Sequence, residues 1–163
     1  MRYYDTFDSP WGGMLIAASN QGISGIYFSR QKYHPKRGKE WQHAPGNAHL
    51  KRAKKQLGEY FAGKRKSFDL ELDPAGSPFQ KRVWKAIAGV PYGETISYGE
   101  LAQRAGFPEG ARAAGAATGR NPISIVVPCH RIVGSSGKLT GYAGGLDKKR
   151  ALLALESGER ELF

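Results

Sequence analysis

A mixed α/β (α+β) protein in two parts is predicted for this chain: a small N-terminal sheet domain with one helix, followed by a largely helical C-terminal domain carrying a helix-turn-helix. Three observations predict it. Strand-forming runs separated by turn residues occupy the stretch up to Ser29, helical periodicity sets in at His49, and beyond the linker-like run Asp73-Pro74-Ala75-Gly76-Ser77-Pro78 the apolar residues recur at helical spacing between glycine stops. The expected division is residues 1–73, a linker at 74–78, and 79–163.

At 163 residues, with 40% hydrophobic and 11% aromatic residues, the chain can bury a core and is not globally disordered. Its net charge of +11 and pI near 9.9 are evidence for a polyanionic partner. The charge lies in both halves, so it is not a detachable basic tail. The single cysteine excludes an intramolecular disulfide and a Cys-rich zinc site, and suits a reducing compartment. The N-terminus Met1-Arg2-Tyr3-Tyr4-Asp5 lacks the apolar core of a signal peptide, and no run is long enough to cross a membrane. A cytoplasmic protein without a membrane partner is expected, nucleoid-associated if the source is prokaryotic.

Strands are expected at Arg2–Phe7, Gly13–Ser19 and Ile23–Ser29, the last two joined by the turn Asn20-Gln21-Gly22. Arg30 to Asn47, basic and broken by Pro35, Gly38, Pro45 and Gly46, reads as a solvated loop. From His49 to Phe61, Leu50, Ala53, Leu57, Tyr60 and Phe61 form an apolar face opposite Lys51, Arg52, Lys54 and Lys55, and Gly63 stops the helix. Ser67–Leu72 alternates like a further strand.

In the second part, Phe79, Val83, Trp84, Ile87 and Val90 give a helix ended by Pro91-Tyr92-Gly93. Ser97 and Glu100 have the spacing of a capping box, so a helix starts at Tyr98 and stops at Gly106. Pro108 can open the next helix, whose body, Ala111-Arg112-Ala113-Ala114-Gly115-Ala116-Ala117, is almost bare of large side chains. Helix, short turn, helix is the arrangement of a helix-turn-helix. A small-residue helix allows close backbone approach, either to a DNA groove or to another helix, and Arg112 would project from it as its one long side chain. A last helix runs from about Asp147 to Gly158 with Leu152, Leu153 and Leu155 inward.

The richest stretch is Ile123-Ser124-Ile125-Val126-Val127-Pro128-Cys129-His130-Arg131. Its β-branched run predicts a short buried strand, and Pro128 turns the chain to present Cys129 at the strand's mouth. A thiol attacks as thiolate and needs a base or a positive field, which His130 and Arg131 can supply. Adjacency alone also fits a small buried cysteine.

The run Asn121 to Gly134, followed by Gly141-Tyr142-Ala143-Gly144-Gly145-Leu146, resembles the active-site signature of the O6-alkylguanine-DNA alkyltransferases. The resemblance extends back through Pro78-Phe79-Gln80, Val83-Trp84, Gly93-Glu94-Thr95-Ile96-Ser97-Tyr98 and Ala111-Arg112-Ala113, and forward to Glu156. It covers nearly all of the C-terminal half and the N-terminal half only loosely. It implies a ribonuclease-H-like N-terminal sheet, a winged-helix-like C-terminal domain, and a monomer that repairs alkylated double-stranded DNA from the minor groove without a cofactor. O6-alkylguanine is the implied substrate, with O4-alkylthymine as a second candidate.

By matching positions, the resemblance implies the following roles. Cys129 attacks the alkyl carbon, His130 takes the thiol proton through a water, Glu156 orients the imidazole, and Asn121 braces the turn. Arg112, flanked by Ala111 and Ala113, enters the base stack in place of the flipped nucleotide, with Thr95, Ser97, Tyr98 and Arg120 also at the DNA. Tyr98 donates to the base ring nitrogen, the Ala143 amide faces the oxygen, the carbonyls of Cys129 and Ile132 accept from the exocyclic amine, and Tyr142 with Gly144 and Gly145 covers the pocket. The thioether product has no ready leaving group, so each molecule acts once.

Two positions depart from the family pattern. Ala143 is often serine in relatives, which matters little for a contact through the amide, and Ser124 is proline in some members, where it touches the alkyl group. Relatives that bind zinc in the N-terminal domain use cysteines this chain lacks, and His34, His43 and His49 are no convincing ligand set, so no metal is expected. Two other readings compete: a cysteine hydrolase using Cys129 and His130, and a DNA-binding regulator or damage sensor. The first leaves the Arg112 helix without a purpose; the second does not need Cys129, which sensors of this kind replace.

Overall fold

The computed structural model describes residues 2–158, and the last residues of the chain lie outside it. Strands β1 (Arg2–Ser9), β2 (Gly12–Ala18) and β3 (Ile23–Phe28) form an antiparallel meander. A short strand β4 (Trp41–His43) adds in parallel to β1, giving the order β3-β2-β1-β4. The expected loop from Arg30 to Asn47 therefore contains a strand, whose three residues are too few for a periodicity to show.

Helix α1 (Ala48–Phe61) opens with Asn47, whose side chain accepts from the amides of His49 and Leu50. It presses Leu50, Ala53, Leu57 and Tyr60, all fully buried, into a core shared with Met14, Ile16, Ile26 and Phe28. Each such aliphatic side chain contributes about 1.5–3 kcal/mol by leaving water. Ser67–Leu72 is not a strand: Gln56 of α1 holds the backbone of Asp69 at 2.9 Å, and the segment meets β3 at the Ile23–Leu72 bridge.

Helix α2 (Pro78–Ala88) begins with a capping box between Ser77 and Gln80, inside what reads as linker. Ser97 caps α3 (Tyr98–Arg104), but only half of the expected box forms: Ser97 Oγ accepts from the Glu100 amide, while the Glu100 carboxylate pairs with Arg104 one turn on. Gly106, at φ +90°, ends the turn after α3. Pro108 does not open the next helix; α4 (Ala111–Gly119) starts after Gly110. Trp84 Nε1 donates to the Ala117 carbonyl at 2.8 Å, and Phe79 meets Phe107 edge-on at 4.8 Å, so α2 fixes the angle between α3 and α4. Helix α5 (Leu146–Ser157) closes the domain and ends at Gly158, φ +84°. It buries Lys149, Ala151, Leu152, Ala154 and Glu156, leaving Leu153 and Leu155 only half-buried against expectation.

The expected strand Ile123–Val127 is a turn. Only Ile123 bridges, in parallel, to Ile26 of β3, and Ile125 has φ +73°, a strained conformation for a β-branched residue. Two two-residue strands, β5 (Ile96–Ser97) and β6 (Ile132–Val133), pair in parallel on either side of it, so the second part contains a small ladder rather than one strand. The bridge at Ile123 covers the β3 edge and joins both halves into one continuous core.

Candidate active site

Asn121 is the hub of the turn. Its Nδ2 donates to the Val127 carbonyl at 2.8 Å and its Oδ1 accepts from the Ile123 amide at 3.0 Å, so one buried amide ties the turn's entry to its exit. Pro128 follows, and Cys129–Arg131 form a single 3-10 turn that holds Cys129 with 6% of its surface exposed. Burial raises the thiol above its ordinary pKa, opposed by a hydrogen bond from Asn121 and the charge of Lys149. The resting sulfur is therefore a thiol, and its proton must leave when it attacks.

His130, fully buried, uses Nε2 against Glu156 Oε2 at 2.7 Å, while Nδ1 has no hydrogen-bond partner among the described residues. That leaves Nδ1 as the basic nitrogen when Nε2 carries the proton. Burial lowers the imidazole pKa, only partly offset by Glu156. Glu156 collects more donors than expected: Arg131 Nε on Oε1 at 2.8 Å, and Arg131 Nη2 at 2.9 Å and the Tyr60 hydroxyl at 2.6 Å on Oε2. Burial alone would raise this carboxyl, but the bonds from His130 and Arg131 hold it far below the usual range.

A cavity of about 690 Å³ opens beside this cluster, lined by Cys129, Tyr98, Tyr142, Ala143, Ala113 and Arg120 among others. The Tyr98 hydroxyl accepts from Thr140 at 3.4 Å. Gly144 leaves no room for a side chain: a Cβ there would lie 2.9 Å from both Phe28 and Tyr142. The Cys129 and Ile132 carbonyls each already accept one bond, from the Ile132 amide and from Lys149 Nζ at 2.6 Å, and keep a second lone pair.

On its exposed face α4 turns Arg112, Ala113 and Ala116 outward, Ala113 and Ala116 also lining the cavity; Thr95 is exposed, and Ala111 and Ser97 are half-buried. Arg112, Ala111, Thr95, Ser97, Ile132 and Gly144 do not line the cavity itself. The Arg120 guanidinium stacks 3.9 Å from the centroid of the Tyr33 ring, on a loop of the N-terminal domain.

Four contributors escape the sequence reading. Arg131 is named there only as a source of positive field, yet it pairs with Glu156. Lys149, fully buried, donates to the carbonyls of Ile132, Thr140 and Gly141, and burial brings its pKa down to about 8. The Lys32 amide donates to the Ala143 carbonyl at 2.9 Å, and Tyr60 reaches Glu156 from α1. A signal for Lys149 exists: Lys149, Leu152 and Glu156 share one face of α5, two charges at core spacing.

The family models for 6-O-methylguanine DNA methyltransferase match as two adjoining pieces, the ribonuclease-like domain over residues 2–74 and the DNA binding domain over residues 78–158. The chain belongs to this family. A methylated-DNA–protein-cysteine methyltransferase of Mycobacterium tuberculosis is 51% identical over 156 residues, covering 96% of this chain and 93% of the relative. One of Methanosarcina acetivorans is 47% identical over 154 residues, covering 94% and 97%. Among solved family members, the crystal structure of Mycobacterium tuberculosis OGT in complex with DNA superposes with a TM-score of 0.88 at 48% identity, covering 96% of this chain and 93% of that one. Family membership and the α/β architecture thus agree with the sequence reading.

Proposed function

We propose that the protein binds alkylated double-stranded DNA through the exposed face of α4 in the minor groove, flips the O6-alkylguanine into the cavity, and transfers the alkyl group to Cys129 once per molecule. The observation that carries this reading is that Cys129 lines the cavity while the residue next to it, His130, is locked to Glu156. The solved relative in complex with DNA supports the choice of partner, as does the net charge of +11.

In the transfer, the Cys129 sulfur forms a bond to the alkyl carbon as the carbon–oxygen bond breaks, and that electron pair leaves on the guanine oxygen. The thiol proton passes through a water to His130 Nδ1, and Glu156 stabilises the imidazolium through Nε2. Tyr98 donates to the base ring nitrogen and the Ala143 amide to the oxygen as the carbonyl reforms. Proton return from His130 to the departing guanine closes the balance. Because a thioether is not displaced by water, the protein is consumed as a monomeric reagent.

The test is stoichiometry. With an excess of duplex containing O6-methylguanine, loss of the lesion stops at one equivalent per protein, and Cys129→Ser removes none. Continued turnover, or activity in Cys129→Ser, contradicts the reading; hydrolysis of ester or peptide substrates by Cys129 would favour a cysteine hydrolase.

A further inference from the structure

We propose that Tyr60 of the N-terminal domain is a positioning residue for alkyl transfer, acting through Glu156 to set the proton affinity of His130. The proposal rests on the reading of Cys129 as nucleophile and His130 as its base. It gives the first domain a part in tuning the base, beyond the structural support the sequence suggests for it.

The geometry is specific. The Tyr60 ring is fully buried and fixed by edge contacts to Phe61 and Tyr92 and a tilted contact to Phe68, at centroid distances of 5.6, 6.2 and 5.5 Å. Packing of this kind asks only for a phenyl ring. The hydroxyl needs another reason, because a buried phenol without a partner is destabilising. Its partner is Glu156 Oε2 at 2.6 Å, the oxygen that also accepts from His130 Nε2.

Three donors thus share Oε2: Tyr60, His130 and Arg131 Nη2. Charge drawn toward one donor is unavailable to the others, so the Tyr60 bond weakens the stabilisation that Glu156 gives to the imidazolium. Other groups act on the same imidazole. Arg131, on its own turn, and Lys149, from α5, oppose its charge directly; Tyr92, from the loop after α2, and Tyr142, from the loop before α5, face Glu156 instead, and Cys129 faces Lys149. The cations oppose protonation and Glu156 favours it; two neutral donors moderate Glu156, the Gly93 amide on Oε1 at 3.3 Å and Tyr60 on Oε2, and of these Tyr60 shares its oxygen with His130. A His130 kept neutral at rest is ready to accept the thiol proton at neutral pH.

The experiment is the single-turnover transfer rate from an O6-methylguanine duplex, measured from about pH 5 to about pH 9 for the wild type and Tyr60→Phe, with DNA affinity alongside. The rate rises with pH as His130 becomes neutral. Without the Tyr60 hydroxyl, Glu156 holds the imidazolium more firmly, and the acid limb moves up by about half to one pH unit. Transfer is then about three- to tenfold slower on the acid side and converges with the wild type at alkaline pH, with DNA affinity unchanged. An unmoved limb, or a uniform loss at every pH, overturns the proposal and leaves Tyr60 a packing residue.

Should Tyr60→Phe fail to fold, 3-fluorotyrosine at position 60 keeps the hydroxyl and makes it a stronger donor, so the limb moves down. An unmoved limb there overturns the proposal equally. One-equivalent transfer by the wild type and its loss in Cys129→Ser are read separately, so failure here leaves the nucleophile assignment intact.

Discussion

Ile26 and Ile123 pair as a parallel bridge between the edge of the N-terminal sheet and the turn that carries the cysteine. The Ile26 amide donates to the Pro122 carbonyl at 2.8 Å, and its carbonyl accepts from the Ser124 amide at 3.1 Å. The strained turn at Ile125 is thereby held by backbone bonds from one side and by Asn121 from within.

Ile123→Ala tests that support. Ile123 is fully buried, and its truncation leaves a cavity at the bridge, costing about 3 kcal/mol in urea unfolding. Because the turn positions the thiol, transfer slows while DNA affinity is retained. A destabilised variant with an unchanged transfer rate would show that the turn keeps its shape without the sheet.

Arg112→Ala is expected to lower repair of duplex DNA by about ten- to a hundredfold, because a side chain filling the vacated stack offsets a few kcal/mol of unstacking. Activity on the free base O6-methylguanine, which needs no flipping, stays near wild type. Equal losses on both substrates would remove Arg112 from base extrusion. Arg112 stands exposed on α4, so the variant tests this role without disturbing the core.

Glu156→Gln slows transfer and also unfolds the protein more readily than expected for a residue concerned with chemistry alone. The change leaves the buried Arg131 guanidinium without its counter-charge, and removing one partner of such a pair costs about 3–5 kcal/mol. Denaturant midpoints measured beside transfer rates check both effects; a variant as stable as wild type would show that Arg131 finds another acceptor.

Stability falls on acidification in two windows. His130 has a folded pKa below its ordinary 6.5, so the unfolded chain binds more protons as pH drops below that value and stability is lost there. Glu156, held far below its ordinary 4.5, contributes stability that is complete above that value and disappears as pH falls through it toward the folded one. Urea midpoints across this range should decline, and His130→Asn should flatten the upper window. A flat wild-type profile between pH about 6.5 and about 5 would contradict a neutral buried His130.

Much of the helical framework is legible because local rules set it: Ser97 caps α3, and Gly63, Gly106 and Gly158 follow helices with positive φ, whereas Asn47, the cap of α1, reads only as the end of a loop. Ser77 likewise reads as linker, since proline and glycine beside it dominate the composition. The turn at Ile123–Val127 reads as a strand because five apolar or small residues look alike whether buried in a ladder or in a turn braced by Asn121. β4 and the 67–72 segment depend on what lies across from them. Tyr60 and Lys149 were hidden for a related reason: each occupies a core position of its helix, and only the fold brings Tyr60 to Glu156 and Lys149 to the Ile132 carbonyl.

The most direct test of the central claim is intact-protein mass spectrometry, with peptide mapping, after mixing the protein with a duplex holding one O6-methylguanine. The expected result is a gain of one methyl group, confined to Cys129, matched by loss of the lesion and absent in Cys129→Ser. An unmodified protein after the lesion has gone, or a methyl group on another residue, would contradict it.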